Sequence, residues 1–198
     1  MHVLARGSEN MRKYNIDASD NESENSSLEI KEQESRIRED SHFASTYSLR
    51  PNEQYEVNHY SYETDRYGRI KRCEGTLRLE DGKRNTNHQV KAGGEYRLET
   101  DEGGHLIGRR FGGSEKVDNI VPMDGHVNRV EYKELEDDCA QELEKGYRVD
   151  VKVRCKYEED SARPSAFIVK YKVTDQDGFT RSEARIISNR SVRGENDE

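Results

Sequence analysis

Four side chains stand at spacings that chemistry could use: His105, Asn119, Asn128 and Glu136. His105 follows Gly103 and Gly104, whose missing side chains let a bulky ligand approach the backbone. An imidazole titrating near neutrality is a natural acceptor for a proton from water. Asn128 offers a side-chain carbonyl oxygen, which suits a hard cation such as magnesium; that ion keeps several waters and needs few protein ligands. Glu136 is placed to orient the asparagine or a water near the metal. Arg109, Arg110, Arg129 and Lys133 are the nearest cations in sequence and suit phosphate oxygens. A proton acceptor, an oxygen ligand for a metal and local positive charge together point to phosphodiester hydrolysis. Asn119 has two readings, a turn residue of the Asp118-Asn119 pair or a support of the site.

These groups need a scaffold. Residues 125–145 read as a helix: Asp124 can cap it, VNRVEYKELEDDCAQELEK is rich in helix formers, and Gly146 stops it. Asn128, Tyr132 and Glu136 then share a face, and Leu135, Cys139 and Leu143 anchor the helix in the core. Strands are predicted over residues 147–157 (Val149, Val151, Val153), 166–174 (Phe167, Val169, Tyr171, Val173) and 179–187, the last after the turn Asp175-Gln176-Asp177-Gly178. Upstream, Tyr55, Val57, His59 or Tyr60, and Tyr62 approximate a single half-buried strand, with order beginning near Asn52. Asp65-Arg66-Tyr67-Gly68 turns it into a returning strand from Ile70. Residues 83–94 read as a loop with one helical turn. The sum is an α+β domain with an antiparallel sheet and one main helix.

Composition limits how much of the chain this domain can occupy. With 30% hydrophobic and 37% charged residues, a core cannot span all 198 positions. Residues 1–50, without hydrophobic periodicity, read as a disordered or weakly helical arm; residues 51–189 as the domain; residues 190–198 as a frayed tail. A run of eighteen apolar residues is missing, which excludes a membrane span, and the first residues lack the apolar region of a classical signal peptide. The expectation is synthesis in the cytoplasm, with secretion or delivery into target cells by a specialised system. Cys73, Cys139 and Cys155 are odd in number and widely spaced, so reduced thiols are expected rather than a disulfide framework or a structural zinc site. A net charge of −8 opposes tight bulk binding of nucleic acid, but a hydrolase needs only a local cationic cluster and must release its product.

The residues also carry a family likeness. Gly103-Gly104-His105-Leu106-Ile107, Asp118-Asn119-Ile120-Val121-Pro122-Met123, Asn128, Lys133-x-Leu135-Glu136 and Arg163-Pro164-Ser165 resemble the DNA/RNA non-specific endonuclease family. The likeness is nearest to the branch found as C-terminal toxin domains of bacterial LXG and polymorphic secreted proteins. It implies the ββα-metal, or His-Me finger, fold. It further implies His105 as general base, Asn128 as ligand of a magnesium ion with manganese the alternative, Asn119 as a support of the site, and Glu136 as a helix carboxylate near the metal waters. The nine-residue step between the asparagines and the eight-residue step to Glu136 fit the pattern. Well-known members carry Asp-Arg-Gly-His, whose arginine touches the phosphate; here position 103 is glycine, so that charge must come from Arg109, Arg110, Arg163 or elsewhere. A tryptophan expected in the helix is also absent, with Tyr132 and Cys139 in that region. The resemblance implies DNA or RNA as substrate and a cognate immunity protein as partner. The competing reading is a catalytically inactive, β-rich nuclease-like module that binds a protein, favoured by the acidic charge and by Gly103.

Overall fold

The computed structural model describes residues 41–80 and 82–190, all within the compact unit Glu39–Glu198. Of the arm expected over residues 1–50, residues 1–40 lie outside the described residues, as do residues 191–198 of the tail expected over 190–198. Six strands form one antiparallel sheet: β3 (Gln54–Val57), β4 (Tyr60–Thr64), β5 (Ile70–Thr76), β8 (Arg148–Tyr157), β9 (Pro164–Thr174) and β10 (Thr180–Ser188), in the order β10-β9-β8-β5-β4-β3. Strict alternation builds its inner face. Val149, Val151, Val153 and Cys155 lie opposite Val173, Tyr171, Val169 and Phe167, and Cys73 continues the row across β5 to Tyr62 on β4. The outer face carries charge instead, as in the ion pairs Lys152–Glu74 and Lys172–Asp150. A one-residue slip would exchange the two faces, so the valine pattern holds the register.

Against the apolar face packs a separate ribbon, β6 (Asp101–His105) paired antiparallel with β7 (Ile120–Asp124), and then the main helix. That helix opens with a π turn, Val127–Glu131, and continues as the α-helix Tyr132–Glu144. Asp124 accepts a hydrogen bond from the His126 amide at its start (3.0 Å), as the expected cap. Leu135, Cys139 and Ala140 are buried, and Tyr132 meets Phe167 of the sheet edge-on, with ring centroids 5.7 Å apart. The order ribbon, then helix, against an antiparallel sheet is the α+β, ββα arrangement expected. All three cysteines are buried free thiols. Among the described residues no helix is long and apolar enough to cross a membrane.

Three local readings change. The single strand expected through Tyr55 and Tyr62 is two strands, joined at Asn58 and His59, both at positive φ (51° and 68°), with Val57 opposite Tyr60. This is the conformation of a two-residue hairpin turn, and without a glycine it is hard to see in sequence. Order begins earlier than Asn52: β1 (Phe43–Ser45) pairs with β2 (Ser48–Leu49), and His42 is buried, stacked on Tyr55 (4.1 Å) and 3.1 Å from Asp118. A polar segment is held here by one buried histidine and long-range partners, which hydrophobic periodicity does not register. Residues 83–94 contain a true helix, α1 (Thr86–Lys91), capped by Asn85; the main α-helix is accordingly α2.

Candidate active site

His105 is the last residue of β6, opposite Ile120, where the ribbon opens into the 106–118 loop. Asn119 holds that loop. It is fully buried; its Oδ1 accepts from the Ile107 amide (2.9 Å) and the Tyr62 hydroxyl (3.0 Å), while its Nδ2 donates to the carbonyls of Ile107 and Ser114 (2.9 Å each). Both acceptor positions and both donor hydrogens of the carboxamide are thus taken inside the protein, so Asn119 fixes the loop. The adjacent Asp118 accepts from Ser114 and contacts His42.

The helix face predicted from spacing meets the segment around His105 at three points. Asn128 donates through Nδ2 to Glu102 (2.7 Å), the Tyr132 hydroxyl donates to the Leu106 carbonyl (2.8 Å), and the Glu136 carboxylate lies against Gly108. A Cβ at Gly108 would stand 2.3 Å from Glu136 Oε1, so only glycine admits the carboxylate there. Asn128, Tyr132 and Glu136 therefore track residues 102, 106 and 108, with His105 between the first two. The π turn that carries Asn128 adjusts its position relative to the α-helix below, a device common at functional sites.

The electrostatics at this end are unusual. His105 Nε2 is buried without a hydrogen-bond partner. Burial, aided by the positive charges of Arg84 and Arg109, pushes the imidazole pKa down to about 4, so the ring is neutral and basic in form at pH 7. The near-neutral titration expected of an ordinary histidine is replaced by a lower one because the charged ring would lose its water. Burial has the opposite effect on Glu136, raising its carboxyl to about 7, with Asp137 adding to the rise and Arg110 and Lys133 opposing it. Among the described residues its carboxylate makes no hydrogen bond.

The cations sort into two groups. Arg129 pairs with Glu102, and Arg110 (2.5 Å) and Lys133 both pair with Asp137. Arg163 grips buried Asp101 with two bonds of 2.7 Å and donates to the Asn189 carbonyl (2.6 Å). Asp101 is at the other end of β6, about 13 Å along the strand from His105, and Arg163 is engaged there. Arg109 is exposed and forms no ion pair or side-chain hydrogen bond among the described residues, and the same holds for Arg84. Arg84, Glu102 and the anchoring hydroxyl of Tyr132 escaped the sequence reading; only the strand–helix docking brings them in.

The residues present fit a hard, hydrated cation. Because Glu102 can only accept, it turns the Asn128 amide nitrogen toward itself and leaves the carbonyl oxygen without a partner among the described residues. Among those residues, no group of three or more His, Cys, Asp and Glu side chains could hold a metal.

A model of the DNA/RNA non-specific endonuclease family matches residues 51–175. Type VII secretion system protein EssD of Staphylococcus aureus strain USA300 is 41% identical over 128 residues, 61% of this chain and 21% of that protein; the EssD of strain Newman matches to the same extent. The match thus spans about one fifth of the length of these relatives. In fold, the chain is similar to the structure described as the EndoG/EndoGI complex, with a TM-score of 0.51 at 16% identity, covering 77% of this chain and 80% of that one. The ribbon, the helix and His105 therefore sit in a matched region that takes in most of the domain, and the chain belongs to the DNA/RNA non-specific endonuclease family.

Proposed function

We propose that this domain is a magnesium-dependent, sequence-non-specific endonuclease acting on DNA and RNA, with His105 as its base and Asn128 as the metal ligand. The observation that carries the reading is His105 itself: neutral, at the mouth of the ribbon, with one ring nitrogen buried and unpartnered. A neutral imidazole can take the proton of a water as its oxygen attacks phosphorus, and the bond to the leaving 3′ oxygen breaks on the opposite side. Asn128, held by Glu102, would contribute the carbonyl oxygen to the metal; a divalent ion supplies charge compensation on the phosphoryl oxygens. Glu136, with a carboxyl that titrates near 7, can hold or release a proton beside the loop that follows His105. Manganese, also a hard cation with oxygen ligands, is the natural substitute in the same donor set.

The kinship with a type VII secretion system protein supports a wider role as a secreted toxin domain, made in the cytoplasm and delivered by a specialised system. A producing cell would then need an immunity protein that covers the site. The decisive assay incubates purified protein with plasmid and with RNA, with magnesium or with EDTA. Wild type should degrade both substrates only with the ion, and His105→Ala should lose roughly 100- to 10,000-fold of the rate, the range of general-base catalysis. Equal rates for wild type and His105→Ala would sink the mechanism. No cleavage by wild type would favour the inactive, partner-binding module.

A further inference from the structure

We propose that Arg84 and Arg109 form a two-arginine clamp for the substrate phosphate beside His105. The inference rests on the nuclease reading above and deepens it by naming the group that binds the anion.

Position 103, two residues before His105, cannot supply this charge. A Cβ there would fall 2.5 Å from the Gln89 backbone, because α1 crosses β6 at that point. The same crossing brings in a substitute. The Glu80 amide donates to the Arg110 carbonyl (2.9 Å) and the Gly82 amide to the Arg109 carbonyl (3.1 Å), while Glu80 bridges Phe111 in parallel. Glu80 and Gly82 therefore lie beside residues 109–111. Arg84 follows two residues later, immediately before Asn85, the cap of α1. Arg84 thus stands on the path from the Arg109 segment to the helix that closes position 103.

Three further observations fit an anion-binding role. Both arginines are exposed residues, and both are without ion pairs among the described residues, whereas Arg110, Arg129, Lys133 and Arg163 are engaged by carboxylates. Both charges reach His105, where they oppose its protonation. An arginine fork matches the geometry of phosphate oxygens and stays charged at any working pH. One pair of residues would therefore hold the phosphodiester and add to the burial that keeps the base unprotonated.

The test measures binding apart from cleavage. In a His105→Ala background with EDTA, affinity for a fluorescent single-stranded oligonucleotide is compared with and without Arg84→Ala and Arg109→Ala. Each substitution should weaken binding about tenfold and reduce the salt slope by about 0.7 for the lost phosphate contact, while Arg84→Lys retains most of the affinity. In the otherwise wild-type protein, Arg84→Ala should raise the His105 pKa measured by NMR toward its ordinary value, with an unchanged melting temperature. Affinities within twofold of the parent and an unaltered salt slope for both alanine variants would overturn the clamp. Should Arg84→Ala fail to fold, the charge-keeping Arg84→Lys and the Arg109→Ala variants decide by the same readouts. If wild type cuts neither plasmid nor RNA, the nuclease reading falls while the binding comparison still judges the clamp.

Discussion

The two ends of β6 are built from similar residue types and behave differently. At the Asp101 end the charges are answered: Asp101 receives two bonds from Arg163 and one from the Leu98 amide, and Asp124, its partner on β7, accepts from Thr100 and His126. At the His105 end they are left open: an unpartnered buried ring nitrogen, a carboxylate without hydrogen bonds, and two arginines without counterions among the described residues. Buried polar groups are ordinarily satisfied, because leaving one unpaired costs about 1–3 kcal/mol. The first end holds the ribbon to the sheet. The second tolerates unpaired groups, as a site awaiting a ligand would.

Breaking the satisfied end should give the largest effect on stability. Arg163→Ala leaves the fully buried Asp101 carboxylate without its cation, and loss of about 3–5 kcal/mol is expected, measurable as a lowered urea midpoint. A change below about 1 kcal/mol would mean that the Asp101 end is as loosely held as its opposite.

The open end should show itself through pH more than through absolute stability. Glu136 titrates near 7 in the folded protein against an ordinary 4.5, so its contribution is fully present below 4.5 and is lost as pH rises through 7. His105 titrates near 4 against 6.5, so the unfolded chain binds its proton first; stability is lost as pH falls from 6.5 toward 4. The two slopes oppose each other between about 4.5 and 6.5. In that window Glu136→Gln should make the melting temperature rise with pH, and His105→Ala should make it fall. Identical pH profiles for wild type and both variants would remove the contrast between the ends of the ribbon.

The smallest effect is expected at a charge that is exposed and paired. Lys133 bonds Asp137 one turn along α2, with more than half of the lysine accessible. Lys133→Ala should change stability by less than about 1 kcal/mol; a loss comparable to that of Arg163→Ala would show that this pair is part of the frame.

Much of this was legible in the chain because it depends on short-range pattern. The valine alternation of β8 and β9 and the helix formers between Val127 and Glu144 act within a few residues of themselves. The face shared by Asn128, Tyr132 and Glu136 follows from helical pitch alone. The Asn58–His59 turn was not legible, since neither residue marks a positive φ as glycine, which adopts it freely, does. The β1–β2 hairpin was hidden because its hold on the domain comes from Asp118, 76 residues away from His42.

By itself, then, the sequence determined the strands of the main sheet from β5 onward, the main helix, and the spacing of a histidine, two asparagines and a glutamate, because period and offset are properties of a local chain; the ribbon entered only through the family likeness. Only the tertiary structure decided which arginines are free and which are bound, why position 103 has no room for a side chain, and why His105 and Glu136 titrate in opposite directions from their usual values. Those properties depend on burial and on charges brought close by the docking of α1, the ribbon and α2, and no stretch of sequence read in isolation contains them.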